Sequence, residues 1–211
     1  MATSTATWES PVAPAATVFI VDDDADVRRA VSLLIRSVGL VENSYASAQD
    51  FLADYDPQKP GCLVLDIRMP GMSGLELQKG LNSNCLLPPI IFITAHGEIP
   101  LAIQAIRAGA IDFIQKPFSP QALLERVREA IELDRENRRK RTLADEVRER
   151  MSELTDRERE ITRFLTNGES TKQIAHHLSI SSKTVDNHRA RILEKMKVDN
   201  PTQLARLVAL L

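Results

Sequence analysis

The 211-residue sequence holds only two cysteines, Cys62 and Cys85. Two are too few for a disulfide framework, and their separation matches no metal-ligand spacing, so both read as reduced core residues. A secretory leader is missing too: residues 1–16 have neither the positive start nor the apolar run of a signal peptide. They are rich in Ala, Thr, Ser and Pro and read as a disordered leader. No apolar stretch approaches the ~20 residues that a membrane helix needs. Charge excess is likewise lacking, with 27 Lys+Arg against 29 Asp+Glu and a net charge of −2. These absences point to a cytoplasmic chain without membrane contact. What is present, 43% apolar and 27% charged residues, supports packed cores and excludes whole-chain disorder.

The balanced total hides two unlike segments. Residues 17–121 carry 12 acids and 8 bases, whereas residues 152–211 carry 8 acids and 10 bases, a net charge of +2. Such asymmetry predicts two domains with different partners. In the front segment, short apolar runs begin at Val18, Leu40, Cys62, Pro89 and Ile111 and alternate with helical patterns. Gly39 sits where a left-handed residue closes the first helix, and Ser119-Pro120 opens the last. Five strands alternating with five helices predict a doubly wound α/β domain around a parallel sheet. Ligands of such folds bind outside the carboxyl ends of the strands.

Those ends carry Asp22, Asp23 and Asp24 after the first strand, Asp66 after the third and Lys116 after the fifth. Crowded carboxylates need a compensating cation, and oxygen ligands of this kind suit Mg²⁺. A carboxylate beside Mg²⁺, a lysine and a hydroxyl is placed to attack a phosphoryl group. Asp24 is an N-cap candidate for the following helix.

Four motifs carry a resemblance: Val21-Asp-Asp23, Leu65-Asp-Ile-Arg-Met-Pro-Gly71, Phe92-Ile-Thr-Ala95 and Gln115-Lys-Pro-Phe118. In order and spacing over about 105 residues they resemble the signature of a response-regulator receiver domain, with its flavodoxin-like fold. The resemblance implies that Asp66 is the phosphoacceptor. It assigns Mg²⁺ to Asp23 directly, to Asp22 through water, and to Asp66 and the carbonyl of Arg68. Lys116 and the hydroxyl of Thr94 would contact the phosphoryl group, Phe113 would be the aromatic switch residue, and Lys116–Pro117 would be cis. Two rivals fit less well. A haloacid-dehalogenase phosphatase wants a second Asp where Arg68 stands, and three acids replace the phosphate-binding loop of a flavodoxin-like electron carrier.

Residues 134–142 are all polar, with five bases against two acids, and Leu143, Val147, Met151 and Leu154 resume helical spacing. Residues 134–151 therefore read as a charged helical linker after a domain over 17–133. From 152 to 211 the strands vanish. Thr155-Asp-Arg-Glu158 and Ser170-Thr-Lys-Gln173 are capping boxes, while Ser181 and Asn200-Pro201 open two further helices. Four short helices make an all-α domain with a helix-turn-helix at its centre. Leu154-Thr-Asp-Arg-Glu-Arg-Glu160, Lys172-Gln-Ile-Ala175, Leu178-Ser-Ile180 and Lys183-Thr-Val-Asp-Asn-His-Arg189 resemble the LuxR/FixJ/NarL type of DNA-binding domain.

On the third of these helices Lys183, Asn187 and Arg191 recur every four residues and form a polar stripe, opposite Val185, Ile192 and Met196. Asn reads adenine and Arg reads guanine in the major groove. Thr184, Lys172, Lys183 and Arg189 suit phosphates. Asp186 fits poorly, because it would repel a phosphate. His176, His177 and His188 lack the companions of a metal set.

The whole chain thus resembles a FixJ/NarL-type two-component response regulator. The resemblance implies a regulator of transcription rather than an enzyme. Its partners would be a sensor histidine kinase, double-stranded promoter DNA, a second copy of the chain upon phosphorylation, and RNA polymerase; relief of interdomain inhibition without dimerisation is the alternative route to activation.

Overall fold

The computed structural model describes residues 15–82, 87–95 and 99–211. Most of the leader expected over 1–16 lies outside these residues, as does Cys85, while Ala16 is buried. The described chain divides into two units between Glu136 and Asn137.

In the first unit, strands β1 (Thr17–Val21), β2 (Val41–Tyr45), β3 (Gly61–Asp66), β4 (Ile90–Thr94) and β5 (Asp112–Gln115) are all parallel. They lie in the order β2-β1-β3-β4-β5. Helices α1 (Ala25–Ser37), α2 (Ala48–Asp54), α3 (Gly74–Asn82), α4 (Ile99–Arg107) and the start of α5 (Pro120–Ser152) cover both faces. Because side chains alternate along a strand, Phe19, Leu63, Leu65 and Phe92 enter one core with Phe51, Leu77 and Ala105. Val18, Ile20, Val64 and Ile91 enter the other with Val31, Ile35, Leu123 and Val127. Burial on two faces explains why β1, β3 and β4 read as unbroken apolar runs. Edge strand β2 is half-exposed and mostly polar.

The order in which successive strands are added reverses between β1 and β3, with the chain stepping outward to β2 on one side and to β4 and β5 on the other, which opens a crevice at the carboxyl ends of β1 and β3. The expected helix signals operate there. Asp24 caps α1 by accepting from the backbone N–H groups of Asp26 and Val27 at 2.9 and 3.3 Å. Gly39 takes φ +78° beyond α1. Val38 keeps the helical spacing of the buried Val31 and Ile35, yet it is the exposed C-terminal cap of α1.

Helix α5 runs for 33 residues, and the division between units falls inside the stretch expected as a linker. Asp134 still serves the first unit. It is buried and accepts from the backbone N–H of Gly61 at 2.8 Å, at the entry to β3. Burial, aided by the nearby Asp134 charge, pushes the Cys62 thiol up to about 12.

The second unit contains α6 (Asp156–Thr166), α7 (Thr171–Leu178), α8 (Ser182–Met196) and α9 (Pro201–Val208). Both expected capping boxes form, at Thr155/Glu158 and Ser170/Gln173. Ser181 caps α8 and Asn200 caps α9, with Pro201 in its first turn. The core gathers Ile161, Ile174, Val185, Ile192, Met196 and Leu204, and Val147 and Met151 of α5 pack into it.

Candidate functional site

Two strand ends bring the acidic residues together. Asp22 follows β1, Asp66 ends β3, and one ligand oxygen from each of Asp22, Asp23 and Asp66 falls within 4.8 Å of the others. Asp22 is fully buried, Asp66 nearly so, and Asp23 is exposed. The Asp22 carboxylate is fixed at both oxygens, one accepting from the Asp24 N–H at 2.9 Å and the other from Lys116 Nζ at 2.6 Å. Lys116 Nζ also donates to Asp66 at 3.2 Å, so one ammonium joins two carboxylates.

The electrostatics follow from this arrangement. Burial raises the Asp66 carboxyl above its ordinary value, and the Asp22 charge adds to the rise against the opposing pull of Lys116. Lys116 is itself raised: burial works against its charge, but bonding to the two carboxylates outweighs the penalty.

The backbone places the remaining residues. Asp66 stands in register with Ile93 on β4, so Thr94, nearly fully buried, is the next residue on the neighbouring strand. The Thr94 carbonyl accepts from the Lys116 N–H at 2.7 Å, which fixes the start of the loop carrying the lysine. The Lys116–Pro117 peptide is cis. The Arg68 N–H donates to Asp66 at 3.4 Å. Phe113 is half-buried against the core that contains Phe92 and Ala105.

Two contributors escaped the sequence reading. Arg28, one turn into α1, donates to the Asp22 carbonyl at 2.7 Å and so steadies the loop. Gly74 opens α3 so close to Asp66 that a Cβ there would lie 2.1 Å from the Asp66 carbonyl oxygen. Only the small residues Gly71, Ser73 and Gly74 of the turn hint at this approach.

In the second unit, Lys183, Asn187 and Arg191 are exposed along α8, while Val185, Ile192 and Met196 are buried. Thr184 and Arg189 are half-exposed and Lys172 is exposed on α7. Asp186 has a structural partner, since the Thr171 hydroxyl donates to it at 3.2 Å and links the starts of α7 and α8.

The far ends of these helices are also fastened. Arg157 of α6 donates to the Leu178 carbonyl at 3.0 Å. Lys195 reaches the buried Glu158 at 2.6 Å and the Glu153 carbonyl at 3.1 Å, while Arg150 donates to the Met196 carbonyl at 3.3 Å. Burial opposes the Glu158 charge, yet Lys195 and the Thr155 N–H outweigh it and hold the carboxyl below its ordinary value.

Comparison with known proteins agrees with this geometry. Residues 18–128 match the response regulator receiver domain, and residues 152–208 match the luxR family of bacterial regulatory proteins. The response regulator protein TodT of Pseudomonas putida is 42% identical over 193 residues, covering 92% of this chain and 85% of TodT. The transcriptional regulatory protein FixJ of Azorhizobium caulinodans is 40% identical over 193 residues, 92% of each chain. Among solved structures, the response regulator StyR shares 43% identity with a TM-score of 0.78, over 92% of this chain and 98% of StyR. Full-length FixJ from B. japonicum shares 33% with a TM-score of 0.57, over 94% and 98%. A five-stranded parallel receiver fold followed by a LuxR-type helical domain accounts for every described element, and the chain belongs to the FixJ-like response regulators, a family of transcription regulators rather than enzymes.

Proposed function

We propose that Asp66 accepts a phosphoryl group from the phosphohistidine of a sensor kinase and that this event controls promoter binding by the second unit. The observation that carries the reading is the Lys116 ammonium shared between Asp22 and Asp66 in the crevice beyond β1 and β3. Asp22, Asp23 and Asp66 offer the oxygen donors that Mg²⁺ takes, and the Arg68 carbonyl would complete the set. When bound, the ion supplies positive charge against the phosphoryl oxygens.

The rest is the work of the chain. A carboxylate oxygen of Asp66 forms the new bond to phosphorus as the phosphorus–nitrogen bond of the donor breaks, and the imidazole nitrogen keeps the electron pair. Lys116 holds charge against one phosphoryl oxygen, and the Thr94 hydroxyl donates to another. Drawing Thr94 inward frees space beside β4 for Phe113 to repack and alters the face of α4 and β5. Ile103 and Ile106 expose apolar surface on α4, which suits a second copy of the chain. A dimer would set two α8 helices on adjacent half-sites. There Asn187 and Arg191 would read base edges, while Lys172, Lys183, Thr184 and Arg189 would hold phosphates. This chemistry belongs in the cytoplasm, beside DNA and RNA polymerase.

Incubation with acetyl phosphate and Mg²⁺ should add one phosphoryl group by intact-mass measurement, and Asp66→Asn should prevent it. Labelling that survives the substitution rules out the assignment. Sedimentation with and without acetyl phosphate tests the dimer, and an unchanged mass counts against that step.

A further inference from the structure

The second unit is far more basic than the segment that matches the LuxR-type family. Residues 152–211 carry a net charge of +2, but the structural unit that starts at Asn137 holds 16 bases and 11 acids, a net charge of +5. The difference is concentrated in one run on α5, Arg138-Arg139-Lys140-Arg141.

Acids that follow and precede the last three residues of the run are engaged with other bases. Glu132 is paired with Arg135, Asp145 with Arg148, and Glu146 with Arg150. Among the described residues, Arg139, Lys140 and Arg141 form no ion pair, and all three are exposed. Consecutive helical residues turn by about 100°, so the run presents charge around most of the helix. It is also anchored. Ala144 is buried, and Val147 and Met151 pack into the same core as Val185 and Ile192 of α8. Arg139 lies about 7.5 Å along the helix axis from Ala144, which holds its charge close to the body of the unit.

From these observations we infer that Arg139, Lys140 and Arg141 form a second, sequence-independent contact with the phosphate backbone of the DNA bound by this unit. The inference rests on the DNA-binding reading of α8 and extends it: α8 supplies base readout, and the α5 run supplies electrostatic attraction without sequence preference. Charge complementarity selects the occupant. Duplex DNA carries one negative charge per ~1.7 Å of axis, and each neutralised phosphate releases a counterion. The arrangement also gives the basic run of α5 a task that a solvated connector would not have.

The test uses the full chain, with and without acetyl phosphate and Mg²⁺. Affinity for a mixed-sequence duplex of ~40 base pairs is measured between roughly 50 and 200 mM salt. Glutamine at 139, 140 and 141 keeps helix propensity close to that of Arg and Lys, and circular dichroism checks the fold. The expected result for R139Q/K140Q/R141Q is a log–log salt slope shallower by about 2–3 and at least tenfold weaker binding at the low-salt end. The charge-preserving R139K/R141K should keep the parental slope. A control with the same loss of charge in the first unit, R29Q/K79Q/R107Q, should change the slope by less than one contact.

A parental slope in R139Q/K140Q/R141Q overturns the inference while leaving DNA binding intact, and so does an equal loss in the control. No binding by the parent in either condition overturns the DNA reading itself and this inference with it. If the substitutions abolish binding to anionic vesicles but not to DNA, the run serves a membrane surface and the inference falls.

Discussion

The two units build their polar sites in opposite ways. In the first, Asp22, Asp66, Thr94 and Lys116 come from four strand ends spread over nearly a hundred residues, and only the sheet order brings them together. In the second, Lys183, Asn187 and Arg191 lie on one helix, and the helical repeat alone aligns them. The first site is buried and held by charge-assisted bonds to a shared lysine. The second is exposed and held indirectly, through the contacts that fasten the helix beneath it. A convergent site is therefore sensitive to backbone placement, whereas a linear one is sensitive to the identity of single side chains.

The sharpest way to break that contrast is Gly74→Ala. Its Cβ would meet the Asp66 carbonyl at 2.1 Å, so backbone must move at the pocket floor. We expect a loss of about 3–4 kcal/mol in the stability of the first unit, together with slower labelling by acetyl phosphate. A normal melting temperature and normal labelling would show that convergence tolerates displacement.

Next in size is Glu158→Gln, which leaves Lys195 without its charged partner and should cost about 1–3 kcal/mol in the second unit. The folded-state carboxyl lies below its ordinary value of 4.5. Its contribution is therefore complete above that value and is lost as pH falls through the folded one. The gap in melting temperature between parent and variant should narrow on acidification, and a gap independent of pH would remove the ion pair from the account.

The smallest global effect belongs to Asn187→Ala on the exposed stripe. Stability should change by less than about 0.5 kcal/mol, while discrimination between a specific and a random duplex drops by about 1–3 kcal/mol. Equal loss on both duplexes would take Asn187 out of base readout.

What was legible in the sequence follows the same contrast. Strand ends, caps and the α8 stripe are local patterns, so Asp66, Lys116, the two capping boxes and the buried face of α8 could be read before any coordinates. Contacts across sequence distance could not. Asp134 looks like one more charge at the head of a polar run, yet its partner Gly61 lies 73 residues away. Gly74 resembles an ordinary turn glycine until the sheet brings Asp66 beside it. Asp186 looked unfavourable in isolation because the Thr171 hydroxyl that satisfies it sits on another helix. Val38 misleads for a different reason: helical spacing continues through the cap, but burial does not.

Helix α5 has a consequence for biosynthesis. Asp134 gives the sheet its buried bond from α5 to Gly61 once it has left the ribosome, so the sheet can close while the remaining chain is still being made. Val147 and Met151 gain partners only as later segments emerge, through Leu204 on α9. For that interval the nascent helix exposes an apolar stripe, and the bases just upstream keep it hydrated until the last helix arrives.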